Sequence, residues 1–291
     1  MDKLYNAIMG LVVGDALGVP FEFRKRDTFI ASGMMGNGTH HQIAGTWSDD
    51  SSMTLATLES IVRLGRIDPA DIMENFVRWF RDAEFTPWGN VFDVGSGTQR
   101  ALARFMAGNP LSECGGRTRM DNGNGALMRI LPLAFFQHKS SDVYAVCALT
   151  HNTIVSKAAC GIYLDVAERL IAGAQKDTVV VDACIGSLPP EFDRLPHIGE
   201  LTRDKIKSSG YVVDTLEAAL WCFLTTHSYR ECVLTAVNLG EDTDTVAAVA
   251  GGLAGLYYGL HPADGIPQNW IDNIARKSWI AGLCEKAQIE S

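Results

Sequence analysis

Gly240-Glu241-Asp242-Thr243-Asp244-Thr245 runs without a break into Val246-Ala247-Ala248-Val249-Ala250-Gly251-Gly252. From Val246 to Leu260 the chain carries no charge and many small residues, so it reads as a helix buried on all sides and tightly packable. Acidic residues before such a helix accept its orphan N–H groups and suit its dipole. Two Asp in alternation nevertheless exceed what one cap needs, and unpaired they repel each other at the edge of a core. Carboxylate and hydroxyl oxygens at this density are what magnesium, manganese and calcium prefer. Capping and metal ligation both account for the stretch taken alone.

Working outward, Trp47-Ser48-Asp49-Asp50-Ser51-Ser52-Met53-Thr54 repeats the recipe, again opening an apolar-periodic helix through Met53, Leu55, Leu58, Ile61 and Val62. Neighbouring helical residues differ by about 100° around the axis, so Asp49 and Asp50 cannot face one ligand identically. One can bind a metal directly while the other bridges a second ion or orients its water. A helix start capped by Ser48, with two dipole-stabilising acids, is the alternative. Two such clusters, about 190 residues apart in one chain, favour a shared site over two coincidental caps.

The bulk composition narrows the classes. With 47% hydrophobic and 20% charged residues, the 291-residue chain can bury a substantial core. No apolar run is free enough of Gly and polar breaks to span a bilayer convincingly, so no membrane insertion is expected. Met1-Asp2-Lys3-Leu4 lacks the basic and apolar regions of a signal peptide. Seven cysteines without a C-x-x-C pair fit free thiols in a reducing cytoplasm. The net charge of −9 and the absence of a dense basic cluster argue against a nucleic-acid partner. An anionic ligand would need bound cations, backbone amides or helix N-termini to offset the acidic field.

Along the chain, helices are expected over residues 4–17, 69–83, 97–105, 143–149, 157–174 and 214–225 besides the two already described. Residues 28–46 are Gly-rich and polar, a long loop leading straight into the Ser48 cluster, and loops of that length are often functional. Residues 175–203 are undecided, with Val179-Val180-Val181 the one strand-like run. No repeat or linker interrupts residues 1–291, so a single, predominantly α-helical domain is expected.

With both clusters placed, the chain resembles the ADP-ribosylglycohydrolase family over nearly its whole length. The resemblance rests on Gly10-Leu11-Val12-Val13-Gly14-Asp15-Ala16-Leu17-Gly18 followed by Glu22, on Ser48-Asp49-Asp50 and on Phe92-Asp93-Val94-Gly95. It continues through Gly123-Asn124-Gly125-Ala126-Leu127-Met128-Arg129, Thr150-His151, Gly210-Tyr211-Val212-Val213-Asp214-Thr215-Leu216-Glu217 and Asp242–Thr245. Each block is weak alone, and their joint occurrence in order is strong.

The resemblance implies an orthogonal all-α fold with two divalent cations, Mg2+ or Mn2+, at the base of a cleft. The matching ligands are Ser48, Asp49, Asp50, Asp242, Asp244 and Thr245, Ser48 keeping the hydroxyl of a position often occupied by Thr. It further implies hydrolytic release of ADP-ribose from a modified protein, most naturally from arginine, by a monomer. Other ADP-ribosyl linkages (serine, nucleotide), phosphoesters, and a non-catalytic crystallin-like role are the alternatives. Glu22 and Asp93 are the expected catalytic carboxylates. Glu22 would position or activate the water, and burial of Asp93 among apolar neighbours would raise its pKa for proton transfer. Asn122, Gly123, Asn124 and Gly125 could bring backbone N–H groups close to phosphate or ribose. His151 and Tyr211 would face the substrate or else serve packing and capping.

Overall fold

The computed structural model describes residues 3–186 and 188–289. The expectation at Met1 and Asp2 lies outside the described residues. Among the described residues thirteen α-helices follow in chain order: α1 Lys3–Gly18, α2 Asp49–Leu64, α3 Pro69–Asp82, α4 Ser96–Met106, α5 Leu111–Cys114, α6 Ser140–Ala148, α7 Ile154–Ile171, α8 Lys176–Ala183, α9 Val212–Thr225, α10 Tyr229–Val237, α11 Thr243–Tyr258, α12 Gln268–Asn273 and α13 Lys277–Ile289. Among the described residues there is no strand, only three isolated bridges: Asn37 with Gln42, Gly116 with His151, and Gly123 with Tyr211.

α1 and α11 form the centre. Gly10, Gly14 and Gly18 recur every fourth residue along α1 and so share one face. A Cβ at Gly10 would lie 2.4 Å from the Gly251 carbonyl oxygen, one at Gly14 2.1 Å from that of Ala247, and one at Gly18 2.3 Å from the Asp244 Cα. On the facing helix a Cβ at Gly255 would lie 2.3 Å from the Asn6 carbonyl oxygen. The two helices therefore run antiparallel with backbone against backbone, a contact that glycine alone permits. Side-chain hydroxyls tie the seam: Thr243 donates to the Gly18 carbonyl at 2.8 Å, Tyr229 to that of Gly10 at 2.7 Å, and Tyr163 to that of Val249 at 2.9 Å.

This pairing also resolves the character of α1. The stretch Lys3–Phe21 is, despite its glycines, long and apolar enough by length and composition to cross a membrane, and 94% of its apolar 18-residue window is buried inside the fold. It is the core helix.

The undecided segment is helical. Val179-Val180-Val181 lies in α8, not in a strand, because Val179 and Val180 are both buried while Val181 is exposed. A strand would have sent Val179 and Val181 to the same face. Tertiary burial overrides the β preference of the valines here. Short 3-10 turns at Pro190–Phe192, Leu195–Glu200 and Arg203–Lys205 carry the chain on to α9.

Two alanine substitutions separate the seam from ordinary helix glycines. Gly14→Ala should destabilise by roughly 3 kcal/mol or more, because backbone has to move to admit the methyl. Gly161, inside α7 with nothing within 4 Å of its would-be Cβ, should gain about 0.5–1 kcal/mol as Gly161→Ala. Denaturant unfolding of both variants checks the pair, and equal effects would remove the seam from its central place.

Candidate metal centre and cleft

The seam delivers the start of α11 to the end of α1, and a backbone clasp completes the approach. Phe23 donates its N–H to the Glu241 carbonyl at 2.7 Å, and Glu241 donates back to Arg24 at 2.8 Å. Gly240, at φ +78°, is needed there, since a Cβ would meet the Arg26 nitrogen at 2.5 Å. Glu22 is thereby held beside Asp242 and Asp244, with carboxylate oxygens of all three within 4.8 Å of one another.

α2 arrives through Asp15. The buried carboxylate of Asp15 accepts from the Ser48 and Ser51 N–H groups at 2.9 and 3.0 Å and from the Ser51 hydroxyl at 2.5 Å. It thus aims the first turn of α2 at the centre, and Asp15, Asp50 and Asp244 also approach within 4.8 Å. The two acidic clusters touch directly, Thr245 donating to Asp50 Oδ2 at 3.3 Å and Ser48 to the same oxygen at 3.0 Å.

The alternative of simple capping holds in part. Ser48 does cap α2, accepting from the Asp50 N–H. Asp242, at the N-cap position of α11, makes no side-chain capping bond. Its Oδ2 instead accepts from Asn124 Nδ2 at 2.8 Å.

What remains is an electrostatic conflict. Asp49, Asp50 and Asp244 are buried, and among the described residues no Lys or Arg pairs with them. Asp50 Oδ1 and Asp244 Oδ2 have no hydrogen-bond partner at all. Burial, then the neighbouring acids, pushes the Asp49, Asp50 and Asp244 carboxyls well up from the usual range. Burial likewise raises Asp242, lifts Asp15 to about 6 and, with Asp93 and Asp242 adding repulsion, lifts Glu22 to about 10. Buried, unpaired charge of this kind is stable only if neutralised by protons or by cations. Two orphaned carboxylate oxygens among hydroxyls are the donor set of a hard divalent ion.

Above this floor opens a cleft of about 390 Å³ bordered by Glu22, Asp49, Asp93, Asn124, His151 and Thr245, among others. Asp93 stands on its wall in the left-handed region at φ 52°, half-buried rather than buried as its apolar neighbours suggested. The chain turns there to start α4, whose N-cap Gly95 supplies no side-chain bond, and the first residues of that helix, Ser96, Gly97 and Thr98, line the cleft. The turn at residues 122–125 is fixed to α9 by Asn124 N–H to Gly210 at 3.1 Å and Val212 N–H to Asn122 at 2.9 Å.

Not every expected substrate residue reaches the cleft. Gly123, Asn124, Gly125 and His151 line it; Asn122 and Tyr211 do not. Asn122 is buried and accepts the Thr153 hydroxyl at 2.5 Å, and Tyr211 packs against the core while its backbone bridges to Gly123. His151 Nδ1 and the Thr150 hydroxyl share a hydrogen bond at 2.7 Å, and that oxygen also accepts from Arg129 at 2.9 Å. Burial, with Arg129 nearby, lowers the imidazole pKa to about 3, so His151 is neutral, its Nε2 beside the cleft-lining Gly97 and Gly123. Would-be Cβ atoms at Gly97 and Gly123 lie 3.0 and 3.2 Å from that Nε2, so the glycines let both loops close on the ring. Asp15 and His40, which bonds Glu22, are two residues of the centre whose roles the sequence did not show.

Fold and cleft together define an all-α protein with an acidic centre suited to cations. The chain belongs to the ADP-ribosylglycohydrolase family, which it matches over residues 1–291. It is 35% identical to the ADP-ribosylarginine hydrolase Tri1 of Serratia proteamaculans, over 98% of this chain and 79% of that protein. It is 34% identical to the ADP-ribosyl-[dinitrogen reductase] glycohydrolase of Rhodospirillum rubrum, over 95% of this chain and 91% of the other. A solved ADP-ribosylglycohydrolase-related protein complex superposes with a TM-score of 0.84 at 32% identity, covering 100% of this chain and 98% of that one.

The raised carboxyls set the pH behaviour of the metal-free protein. Below about pH 4 these groups are protonated in folded and unfolded chain alike, and the cluster costs nothing. From about pH 4 upward the unfolded chain loses these protons while the folded chain still holds them, so stability falls, up to about pH 6 for Asp15 and about pH 10 for Glu22. Divalent ions relieve that repulsion and need the deprotonated ligands. The rise in melting temperature on replacing EDTA by Mn2+ should therefore be larger at pH 8 than at pH 5. An equal rise at both would detach the ions from this cluster.

Proposed function

We propose that the protein hydrolyses the bond between C1 of the distal ribose of ADP-ribose and an arginine side chain of a modified protein, releasing free ADP-ribose. The observation that carries this is the orphaned oxygen pair, Asp50 Oδ1 and Asp244 Oδ2, buried directly behind the cleft-lining Glu22, Asp242 and Thr245 in a member of this family. The Serratia relative is described as an ADP-ribosylarginine hydrolase and the Rhodospirillum relative as a glycohydrolase of ADP-ribosyl-dinitrogen reductase; the first description favours arginine over other linkages.

Ser48, Asp49, Asp50, Asp242, Asp244 and Thr245 would hold two divalent ions, Mg2+ or Mn2+. Bound there, the ions would supply charge for chelating vicinal ribose hydroxyls and for lowering the pKa of a water. The protein's own groups do the rest. The uncapped start of α4 and the glycines at 123 and 125, all lining the cleft, would offer backbone donors to the diphosphate, a task the acidic surface cannot perform. His151, neutral, stands on the same wall.

Glu22 and Asp93 both border the cleft, and their carboxylates come within 4.8 Å of each other. Close carboxyls whose environments differ are suited to exchange protons with water and leaving group. One takes the proton of the attacking water as its oxygen bonds to C1. The C–N bond breaks with its electrons passing to the guanidine nitrogen, which takes up a proton, and the transition state has oxocarbenium character. The seven thiols, none in a disulfide, support a reducing, cytoplasmic setting for this activity.

The test is release of ADP-ribose from an arginine-ADP-ribosylated protein with Mg2+, with Mn2+ and with EDTA, beside serine-linked and phosphoester substrates. Metal-dependent release from the arginine substrate is expected, and release from another substrate alone would reassign the linkage. Asp244→Ala should abolish turnover with helix content near normal by circular dichroism. Asp93→Asn should lower the rate by roughly 100-fold or more while ADP-ribose affinity changes little. Equal losses in rate and affinity would make Asp93 a binding residue.

A further inference from the structure

Residues 28–46 contain no helix, yet part of this loop is rigidly attached to the centre. Asn37 and Gln42 pair across a tight turn, the Asn37 N–H reaching the Gln42 carbonyl at 2.5 Å. Gly38, at φ +65°, passes so close to Pro20 that a Cβ would lie 1.9 Å from the Pro20 carbonyl oxygen. Thr39 then makes two bonds to the segment that carries Glu22: its N–H to the Pro20 carbonyl at 3.1 Å and its hydroxyl to the Glu22 carbonyl at 2.7 Å. The next residue, His40, presents Nε2 to Glu22 Oε2, and its backbone carbonyl is held by Gln42 Nε2 at 3.0 Å. Its ring lies between those of Phe23 and Phe92, with centroids 6.0 and 5.3 Å away.

The turn is thus built on the same backbone as the carboxylate it faces. Glu22 needs such a partner. Its oxygens lie among Asp242 and Asp244 on one side and Asp93 on another, all of one sign. Mutual repulsion would swing an unrestrained glutamate away, at the entropic advantage of a long side chain. His40 Nε2 is the one side-chain nitrogen bonded to it among the described residues, and His40 does not line the cleft.

We infer that His40 is a positioning residue: through its imidazole N–H it holds the Glu22 carboxylate against the cation centre, so that ion affinity and turnover depend on it while substrate affinity does not. This assignment rests on the divalent centre proposed above. Partners that orient a metal-site carboxylate typically matter by about 10–100-fold in ion affinity or activity.

The experiment is titration of the full-length protein with Mn2+ by calorimetry, comparing wild type, His40→Ala and His40→Gln, with ADP-ribose release measured alongside. His40→Ala should weaken Mn2+ binding roughly tenfold or more and lower kcat with KM nearly unchanged. His40→Gln, whose amide keeps a donor at that reach, should recover most of both losses. Wild-type affinity in His40→Ala overturns the assignment, as do equal losses in the two variants, which would mark His40 as mere loop support. A wild-type protein that takes up no Mn2+ instead overturns the centre itself, and the role of His40 with it.

Discussion

The contact of α1 with α11, backbone against backbone along their glycines, is the constraint on which the rest of the structure depends. Side chains between two helices usually keep their axes 8–10 Å apart and leave room for adjustment. A glycine seam removes that slack. It fixes the end of α1 against the first turn of α11, with Gly18 touching Asp244 and Thr243 bonded to the Gly18 carbonyl. Glu22 follows α1 by one short turn, so its place relative to Asp242 and Asp244 is set by main chain. The third participant, α2, is aligned by a side chain of α1 itself, Asp15.

That arrangement explains how so much negative charge is tolerated. Asp15 is satisfied by N–H and hydroxyl donors and acts as structure. Asp50 and Asp244 each keep one oxygen with no partner, in surroundings that no solvent reaches. A protein built for stability alone would neutralise or replace such groups, since uncompensated buried charge costs several kcal/mol. Stability is given up locally to obtain a set of oxygens that do not have to reorganise on receiving an ion.

Much of this was legible in the chain. The small residues of α1 and the uncharged run after Thr245 signalled closely packed helices, and the paired Asp clusters signalled a common site. Their meeting was not legible from periodicity, because it depends on which faces pair; the ordered family motifs supplied that. Local preference misled at Val179–Val181, where packing decided the conformation. Asn122 and Tyr211 each adjoin a cleft-lining glycine, Gly123 and Gly210, without lining the cleft themselves, a distinction of one residue that sequence does not carry. His40 left no mark, because a histidine in a polar, Gly-rich loop has no pattern to violate. The length of that loop was the only available signal.

The order in which the ribosome delivers these parts has its own consequence. The hydroxyl of Thr243 bonds to a carbonyl 225 residues earlier in the chain, so α1 leaves the ribosome long before the helix that covers it exists. At roughly 5–20 residues per second, synthesis of the intervening chain takes on the order of 10–45 seconds. Throughout that interval the cell holds an uncovered helix apolar enough to pass for a membrane span. Until α11 emerges the acidic centre is incomplete as well, so a cation that binds there would bind late. The order of synthesis therefore leaves the first helix without its main partner for longer than local contacts would.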